Sequence, residues 1–534
     1  MIIIISRVLY LCKKYLFNLF QSNIMSKYTS LTQLIQSLTK SERKKIAALI
    51  RGNGIKPDND YIVLYKIIMK EPTIDQDEAK KTFSQKKPTS TFNTAVNYLL
   101  DIILSLLTQL RSEQDSYYKL FHMLMNAKIL YEKSIYSECF QLISRIQSEA
   151  EKFENFSLLL VAQQLELEYM LTLDFLDLSE QELLNKQLKI NETMKKIRKI
   201  NEHSFLFELL RHRTLHKGNV RSNKQKQELN DLVISEMSIV SSSGVENFEI
   251  QKNHLLFQAN YLISVGDYKS ALNSFYELNS FFEKNMHLLS NPPIYYLNTI
   301  EGILDNLRTI KKYNEMNYFI HKLENLQNSS IYFRMQVKFI AFFYRTVPFI
   351  DGARYTIAKE MLNDIKCELF SNINLLTTSR KFQLLLNASI IYLGCNELSI
   401  ARKYIIQITS EKDYISKPLL RTARLINLII MYELHEFDFI DYEIRSLKRE
   451  IKNSENAYQI EQILIKVLNY LINNYPKKVD EKMYEKIELS LDSLSNNRFE
   501  LQVLRIFDFG AWIKSKFCNQ PLSQVFRREI LSKE

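Results

Sequence analysis

Apolar residues recur at every third or fourth position along most of the chain, and this spacing predicts helices almost throughout. The segment QKKPTS contains Pro88 and predicts a loop. Around that loop the periodic segments predict helices at Tyr61–Lys70, Asp75–Thr82 and Phe92–Leu110.

An earlier helix is predicted from the segment SLTKSERKKIAALI, which starts at Ser37. Thr39 and Glu42 have the spacing of a capping box, in which each side chain binds the backbone amide of the other residue. An apolar stripe follows at Ile46, Leu49 and Ile50. The basic residues of the segment are therefore expected mostly on the solvated face: Lys40, Arg43, Lys44 and Lys45.

From Ser116 onwards the apolar pattern indicates pairs of helices. The segment from His254 to Leu278 has the series of small and aromatic residues typical of a tetratricopeptide repeat: Ala259, Gly266, Tyr268, Ala271 and Phe275. Five weaker copies follow the same offsets around Tyr136, Tyr313, Tyr355, Leu398 and Phe437. In the Leu398 copy the turn, counted from Gly394, is two residues longer than the turn at Gly266. This irregular spacing predicts a degenerate array of tetratricopeptide-like helix pairs.

The composition agrees with a helical chain, because 534 residues include only 9 Gly and 9 Pro. The predicted fold class is all-α: a degenerate, right-handed tetratricopeptide-like α-solenoid preceded by a small N-terminal helical domain. We place the helical domain at residues 25–115 and the solenoid at residues 116–534. Trp512 is expected to pack a C-terminal capping helix.

Residues 1–24 are apolar but are interrupted by Arg7, Lys13 and Lys14. No uncharged run approaches the ~18–20 residues that a membrane span needs. The stretch also lacks the charge order and small-residue cleavage site of a signal peptide. We expect it to be an extension caused by a start-site assignment before Met25, and a membrane-surface helix is the alternative.

The order of four segments resembles a known family: LTQLIQSLTKSERKKI, YIVLYKII, AVNYLLDIILSLL and ILYEKSIYSECFQLI. With the later YELHEFDFIDYEIRSLKR, they are similar to an uncharacterised family of helical, tetratricopeptide-like proteins of Bacteroidota. The resemblance covers about Met25 to the C-terminus. It implies the helical-repeat fold and brings no activity or catalytic residue. The segment SERKKIAAL departs from the family, whose members tend to carry aromatic residues after the basic pair.

Motifs for phosphate binding and for common hydrolytic chemistry do not occur, including GxxxxGK[ST], GxGxxG, GxSxG and HExxH. His212 and His216 are four residues apart and could face one metal, but arginines flank them and a solvated basic helix is favoured. Glu166 and Glu168 are two residues apart on a helix, so a paired acid–base role is disfavoured. No cofactor is therefore predicted.

The five cysteines are scattered without a CxxC pair, which suits the reducing cytoplasm and excludes a disulfide framework. Three of them lie in apolar helical context and are expected in the core: Cys139, Cys367 and Cys395.

The strongest local feature is a basic cluster. Between Lys195 and Lys226 ten Lys and Arg residues stand against two acidic residues, within a chain of formal net charge +11. Such a cluster is either a solvated helix end or a docking surface for an acidic partner. Eight candidates define it here: Lys195, Lys196, Arg198, Lys199, Arg211, Arg213, Lys217 and Arg221.

The sequence thus favours a non-enzymatic cytoplasmic adaptor or scaffold that binds a protein or peptide in a helical-repeat groove. The alternative is a nucleic-acid-associated regulator, with residues 25–115 as a helix-turn-helix-like module and the solenoid sensing a partner. Residues 25–115 carry 14 basic and 10 acidic residues, a small excess for a duplex-binding domain. The scaffold is therefore preferred.

Overall fold

The computed structural model describes residues 26–52, 59–71, 74–112, 115–175, 178–220, 223–242, 247–326, 328, 330–410, 417–452, 458–474, 481–495, 497, 500–522 and 524–525. These residues are almost entirely helical and contain no β-strand, which confirms the all-α prediction. The chain divides into two compact units, Met1–Ile146 with Ser329–Ile331, and Gln147–Asn328 with Tyr332–Glu534. The division between Ile146 and Gln147 falls within a helix, whereas the sequence places the domain boundary between residues 115 and 116.

The first unit contains α1 (Lys27–Ser37), α2 (Lys40–Gly52), α3 (Asp60–Lys70), α4 (Gln76–Lys86), α5 (Phe92–Ser112), α6 (Ser116–Glu132) and most of α7 (Tyr136–Lys152). Helix α5 is central, because α1 to α4 and α6 all pack against it. Leu64, Leu99 and Ile103 are fully buried in this core. The three helices predicted around Pro88 are confirmed as α3, α4 and α5, with ends that differ by a few residues.

The capping box at the start of α2 is confirmed. The Glu42 amide donates to Thr39 Oγ1 at 3.1 Å, and the Thr39 amide donates to Glu42 Oε2 at 2.8 Å. Ile46 is fully buried as predicted. Arg43 differs from Lys40, Lys44 and Lys45, which are exposed, because its Nη2 donates to the Ile35 and Gln36 carbonyls at 3.3 and 3.0 Å. It therefore satisfies backbone acceptors at the end of α1.

The second unit contains α8 (Phe156–Thr172), α9 (Glu180–Lys217), α10 (Asn223–Gln227), α11 (Asn230–Ser242), α12 (Phe248–Ser264), α13 (Tyr268–Lys284), α14 (Ile294–Thr309), α15 (Tyr313–Glu324), α16 (Ile331–Asp351), α17 (Tyr355–Ser371), α18 (Thr378–Gly394), α19 (Leu398–Ser410), α20 (Lys417–Glu433), α21 (Phe437–Lys452), α22 (Gln459–Asn474), α23 (Glu481–Ser495), α24 (Leu501–Leu504) and α25 (Phe509–Phe517). Two short 3₁₀ segments lie at Met286–Leu288 and Ile373–Leu375. From α12 to α15 and from α17 to α23, each helix packs against the next one in the chain.

One turn recurs between successive helices. Three residues separate the helices, and the middle residue has a left-handed backbone with φ between 49° and 79°: Ser134, Glu154, Gly266, Lys311, Ala353, Asn396 and His435. In each turn the amide of this residue donates to the carbonyl three positions earlier, and the next amide donates to the carbonyl five positions earlier. This is the Schellman arrangement, which satisfies carbonyls at a helix end.

The recurring turn corrects the prediction that the turn before Leu398 is two residues longer. Gly394 is the last residue of α18, and the left-handed residue of that turn is Asn396 with φ 61°. The turn therefore has the same length as the turn at Gly266. Asn adopts this conformation because its short polar side chain can bond locally, so glycine is not required there. A Cβ on Gly394 would lie 2.2 Å from Cγ of Tyr355, so this glycine serves packing.

The prediction of core cysteines holds for Cys139 alone. Cys139 is fully buried and its Sγ donates to the Ala127 carbonyl at 3.2 Å, and burial raises the pKa of this thiol. Cys367 is exposed because it lies off the face of α17 that buries Leu362 and Leu369. Cys395 is half-buried because it lies in the turn after α18.

Candidate partner-binding surface

Helix α9 positions most of the basic cluster. It runs from Glu180 to Lys217 and begins with a capping box, in which the Glu182 amide donates to Ser179 Oγ at 3.3 Å. The Ser179 amide and hydroxyl donate to Glu182 Oε2 at 2.9 and 2.7 Å, and these two bonds lower the pKa of the Glu182 carboxyl. Helix α9 packs against α8, α11 and α12, so its side chains point towards different neighbours along its length.

The C-terminal half of α9 uses its arginines within the fold. Arg213 forms a two-pronged pair with Asp231 of α11 at 2.9 and 2.8 Å, and also donates to the Glu228 carbonyl at 3.0 Å. This pair lowers the pKa of Asp231. Arg211 Nη1 points to Asn260 Oδ1 of α12 at 3.4 Å. Both arginines therefore help to join α9 to its neighbours.

The middle of α9 carries four of the six remaining basic residues: Lys195, Lys196, Arg198 and Lys199. Lys195 and Arg198 are exposed, and Lys199 is half-buried. Lys196 Nζ lies 5.1 Å from the ring centroid of Phe156 on α8. The structure thus separates the predicted cluster into an exposed middle part and a part bound to α11 and α12. The side chain of Lys217 and all of Arg221 lie outside the described residues.

A groove of about 440 Å³ opens beside this exposed middle part, between α8 and α9. Its lining is formed by Leu160, Met194, Ile197, Arg198, Asn201, Glu202 and Phe205. Met194, Arg198, Asn201 and Phe205 follow helical spacing and share one face of α9. Sequence reasoning missed the groove, although an apolar stripe between basic residues was visible in this segment.

Two polar networks join helices that are distant in the sequence. Arg380 of α18 pairs with Glu301 of α14 and donates to Asn298 Oδ1 at 3.1 Å and to Gln336 Oε1 at 2.8 Å. Gln336, on α16, is fully buried and donates to the Leu375 carbonyl at 2.6 Å. Helices α14, α16 and α18 are thereby joined through their side chains.

The second network holds the C-terminal segment, residues 500–517, in place. Arg505 donates to Asp305 Oδ2 at 2.7 Å and to Thr309 Oγ1 at 3.2 Å, and its guanidinium lies 5.7 Å from the Tyr268 ring centroid. Arg308 donates to the Arg505 carbonyl at 2.7 Å and to Asp351 Oδ1 at 3.1 Å.

Further along the same segment, Trp512 of α25 is buried as predicted, and its Nε1 donates to Glu433 Oε1 of α20 at 2.7 Å. The segment therefore binds α14 and α20.

A histidine cluster that sequence reasoning did not single out lies between α9, α11 and α12. His203 is 1% exposed, and its Nε2 has no hydrogen-bond partner. Burial lowers the pKa of His203, while the carboxylate of Glu236 opposes that shift. Glu236 is itself buried and bonds to Nδ1 of His254. His203 is buried because of how α9 packs against its neighbours. An isolated histidine that belongs to no sequence motif gives no sign of that burial.

His212 and His216, the two histidines considered as metal ligands, lie close together on the surface of α9. The rings of His212 and His216 have centroids 4.3 Å apart and both residues are exposed. Within the described residues, no group of three His, Cys, Asp or Glu side chains could hold a metal ion. Glu166 pairs with Lys186 at 2.8 Å, whereas Glu168 is exposed.

None of the helices in the described part of the chain is both long enough and apolar enough to cross a membrane. Comparison of the sequence with protein-family models and with curated proteins gives no match.

Proposed function

We propose that the chain is a non-enzymatic cytoplasmic adaptor or scaffold that binds a protein or peptide on a right-handed, tetratricopeptide-like helical-repeat surface. The observation that supports this proposal is the same three-residue turn at seven helix junctions within the described residues, with Tyr, Phe or Leu opening the following helix each time. Chains built from such helical hairpins bury apolar surface between neighbouring repeats and leave extended faces available for partners.

The test is affinity purification of the full chain from its native cell, with and without nuclease, followed by identification of co-purifying protein and nucleic acid. A protein partner that remains in fixed proportion after nuclease treatment is expected. Recovery of the chain without a protein partner, or with nucleic acid alone, would overturn the adaptor proposal.

The second candidate is the nucleic-acid-associated regulator, which the basic cluster favours. Its electrostatic signature is a steep loss of affinity with salt, about 0.9 log units per log unit of salt for each duplex phosphate contact. Because Arg213 is bound to Asp231 in the fold, Lys195 and Arg198 are the better residues for this test. Tight, salt-sensitive binding of DNA or RNA that is lost in Lys195→Glu/Arg198→Glu would favour this candidate over the adaptor.

A further inference from the structure

The α8–α9 groove exposes large apolar side chains. Phe205 is 60% exposed and Met194 is 41% exposed, and both line the groove together with the half-buried Leu160 and Ile197. Contact with another apolar surface would remove this area from water, which is the main favourable term in association. Covering the groove with an apolar surface of a partner is therefore energetically favourable.

The shape of the exposed stripe suits a helix. Met194 and Phe205 are separated by eleven positions on α9, or roughly 16 Å at the rise of an α-helix. A third helix lying along α8 and α9 would span this distance with apolar residues at positions i, i+4, i+7 and i+11. Recognition of an amphipathic helix by an apolar groove uses this spacing of anchors.

The basic residues beside the groove favour a negatively charged partner. Lys195, which follows the lining residue Met194 in the sequence, is exposed, and the side chain of the lining residue Arg198 is 82% exposed. Arg198 pairs at 3.0 Å with Glu202, the acidic residue of the lining. An exposed i,i+4 pair of this kind contributes little net stability, so Arg198 can exchange Glu202 for an incoming carboxylate.

We propose that the α8–α9 groove binds an amphipathic helix of a partner protein, with an apolar face on Met194 and Phe205 and an acidic flank beside Lys195 and Arg198. This inference rests on the proposed adaptor function and names the surface and the class of partner. The apolar anchors supply most of the affinity, and the acidic flank selects the partner and speeds association.

Two synthetic helical peptides provide the probe. Both carry leucine at the anchor positions; one carries glutamate on its flanks and the other carries lysine at the same positions. Fluorescence anisotropy with the full chain at moderate salt should show the acidic peptide binding at least about tenfold more tightly than the basic one. Phe205→Ser and Met194→Ser should each weaken the acidic peptide by about tenfold.

The chain offers matched controls. Phe439 is 65% exposed on α21 and Met237 is 65% exposed on α11, so Phe439→Ser and Met237→Ser remove similar exposed area away from the groove. Arg445 is 76% exposed in an i,i+4 pair with Asp441, which matches the setting of Arg198. Arg198→Glu should reverse the preference between the two peptides, whereas Arg445→Glu should leave it unchanged.

Equal binding of the two peptides, no binding of the acidic peptide, or equal effects of the groove and control variants would each overturn the inference. Preferential binding of duplex nucleic acid, lost in Arg198→Glu and retained in Phe205→Ser, would assign the surface to nucleic acid instead. A native protein partner that still co-purifies with Phe205→Ser would leave the adaptor function standing on another surface, so the two failures are distinguishable.

Discussion

Small residues set the distance between helices in the second unit. Ala271 is fully buried at the start of α13, where α13 packs against α12. Gly302 of α14 contacts the ring of Phe275, and a Cβ there would lie 2.5 Å from two ring carbons. Such contacts leave no volume for an added methyl group, so the cost of a larger side chain is steric.

We expect Ala271→Leu to lower the free energy of unfolding by about 1–3 kcal/mol, because extra methylenes force neighbouring side chains out of their rotamers. The control is Ser280→Leu on the same helix, where the side chain is exposed and the effect should stay within about 0.5 kcal/mol. Chemical denaturation measures both. Equal stability of Ala271→Leu and the parent chain would contradict the close contact at this position.

Protonation of His203 should weaken the fold. Its pKa in the folded chain lies below 6.5 because of burial; Glu236 and Glu202 raise it, while His254 and Lys199 lower it further. The unfolded chain therefore binds the proton first as pH falls, and the stability present above pH 6.5 declines towards the depressed pKa.

Unfolding measured between neutral and mildly acidic pH should show this decline, and His203→Gln should flatten it over the same range. The decline should persist unchanged in His216→Gln, which alters an exposed histidine on the same helix. An identical pH profile for His203→Gln and the parent chain would rule out His203 as its source.

At the scale of the element, the helical hairpins share one turn conformation, and that conformation does not require a particular residue at its middle position. Seven different residue contexts adopt the same left-handed middle position, and only one of these middle residues is glycine. An L-residue with a side chain pays roughly 1–2 kcal/mol for this conformation. The hydrogen bonds of the turn and the packing of the joined helices offset that cost.

Opposite substitutions should therefore have opposite effects. Gly266→Ala should destabilise the chain by about 1 kcal/mol because φ is 79° there. Lys311→Gly, at φ 60° on an exposed residue, should stabilise it by up to about 1 kcal/mol. Differential scanning calorimetry checks both changes. Destabilisation by Lys311→Gly as large as that by Gly266→Ala would contradict a shared turn conformation.

At the scale of the second unit, the C-terminal segment makes contacts across about two hundred residues of sequence. The Arg505–Asp305 pair has side chains 24% and 28% exposed, and Tyr268 lies beside the guanidinium. Burial raises the pKa of Tyr268, and Arg505 opposes this shift. Removing Arg505 would leave Asp305 partly desolvated without its charged partner.

Arg505→Ala should accordingly lower the stability of the second unit by about 1–3 kcal/mol. Hydrogen exchange should speed up together in the 500–517 segment and at the end of α14, because the two are held by the same bonds. The exposed Arg445→Ala is the control and should change stability by less than about 0.5 kcal/mol. Faster exchange confined to the C-terminal segment would contradict the coupling.

The amino-acid sequence alone was sufficient for features that depend on near neighbours in the chain. Helix positions follow from apolar periodicity, the Thr39–Glu42 capping box follows from a three-residue spacing, and the hairpin at Gly266 follows from its small and aromatic residues. Each of these is decided within a few turns of helix, where geometry leaves few alternatives.

Tertiary structure decided which side chains the fold itself uses. Arg213 and Arg198 look equivalent in a basic segment, yet Arg213 is held by Asp231 whereas Arg198 stays exposed beside a groove. Arg505 and Asp305 meet only because the chain returns to α14. Pairing and burial depend on residues that are far apart in sequence, so a local sequence pattern cannot predict them. For the same reason, the α8–α9 groove is seen only in the tertiary structure, where the two helices are packed together.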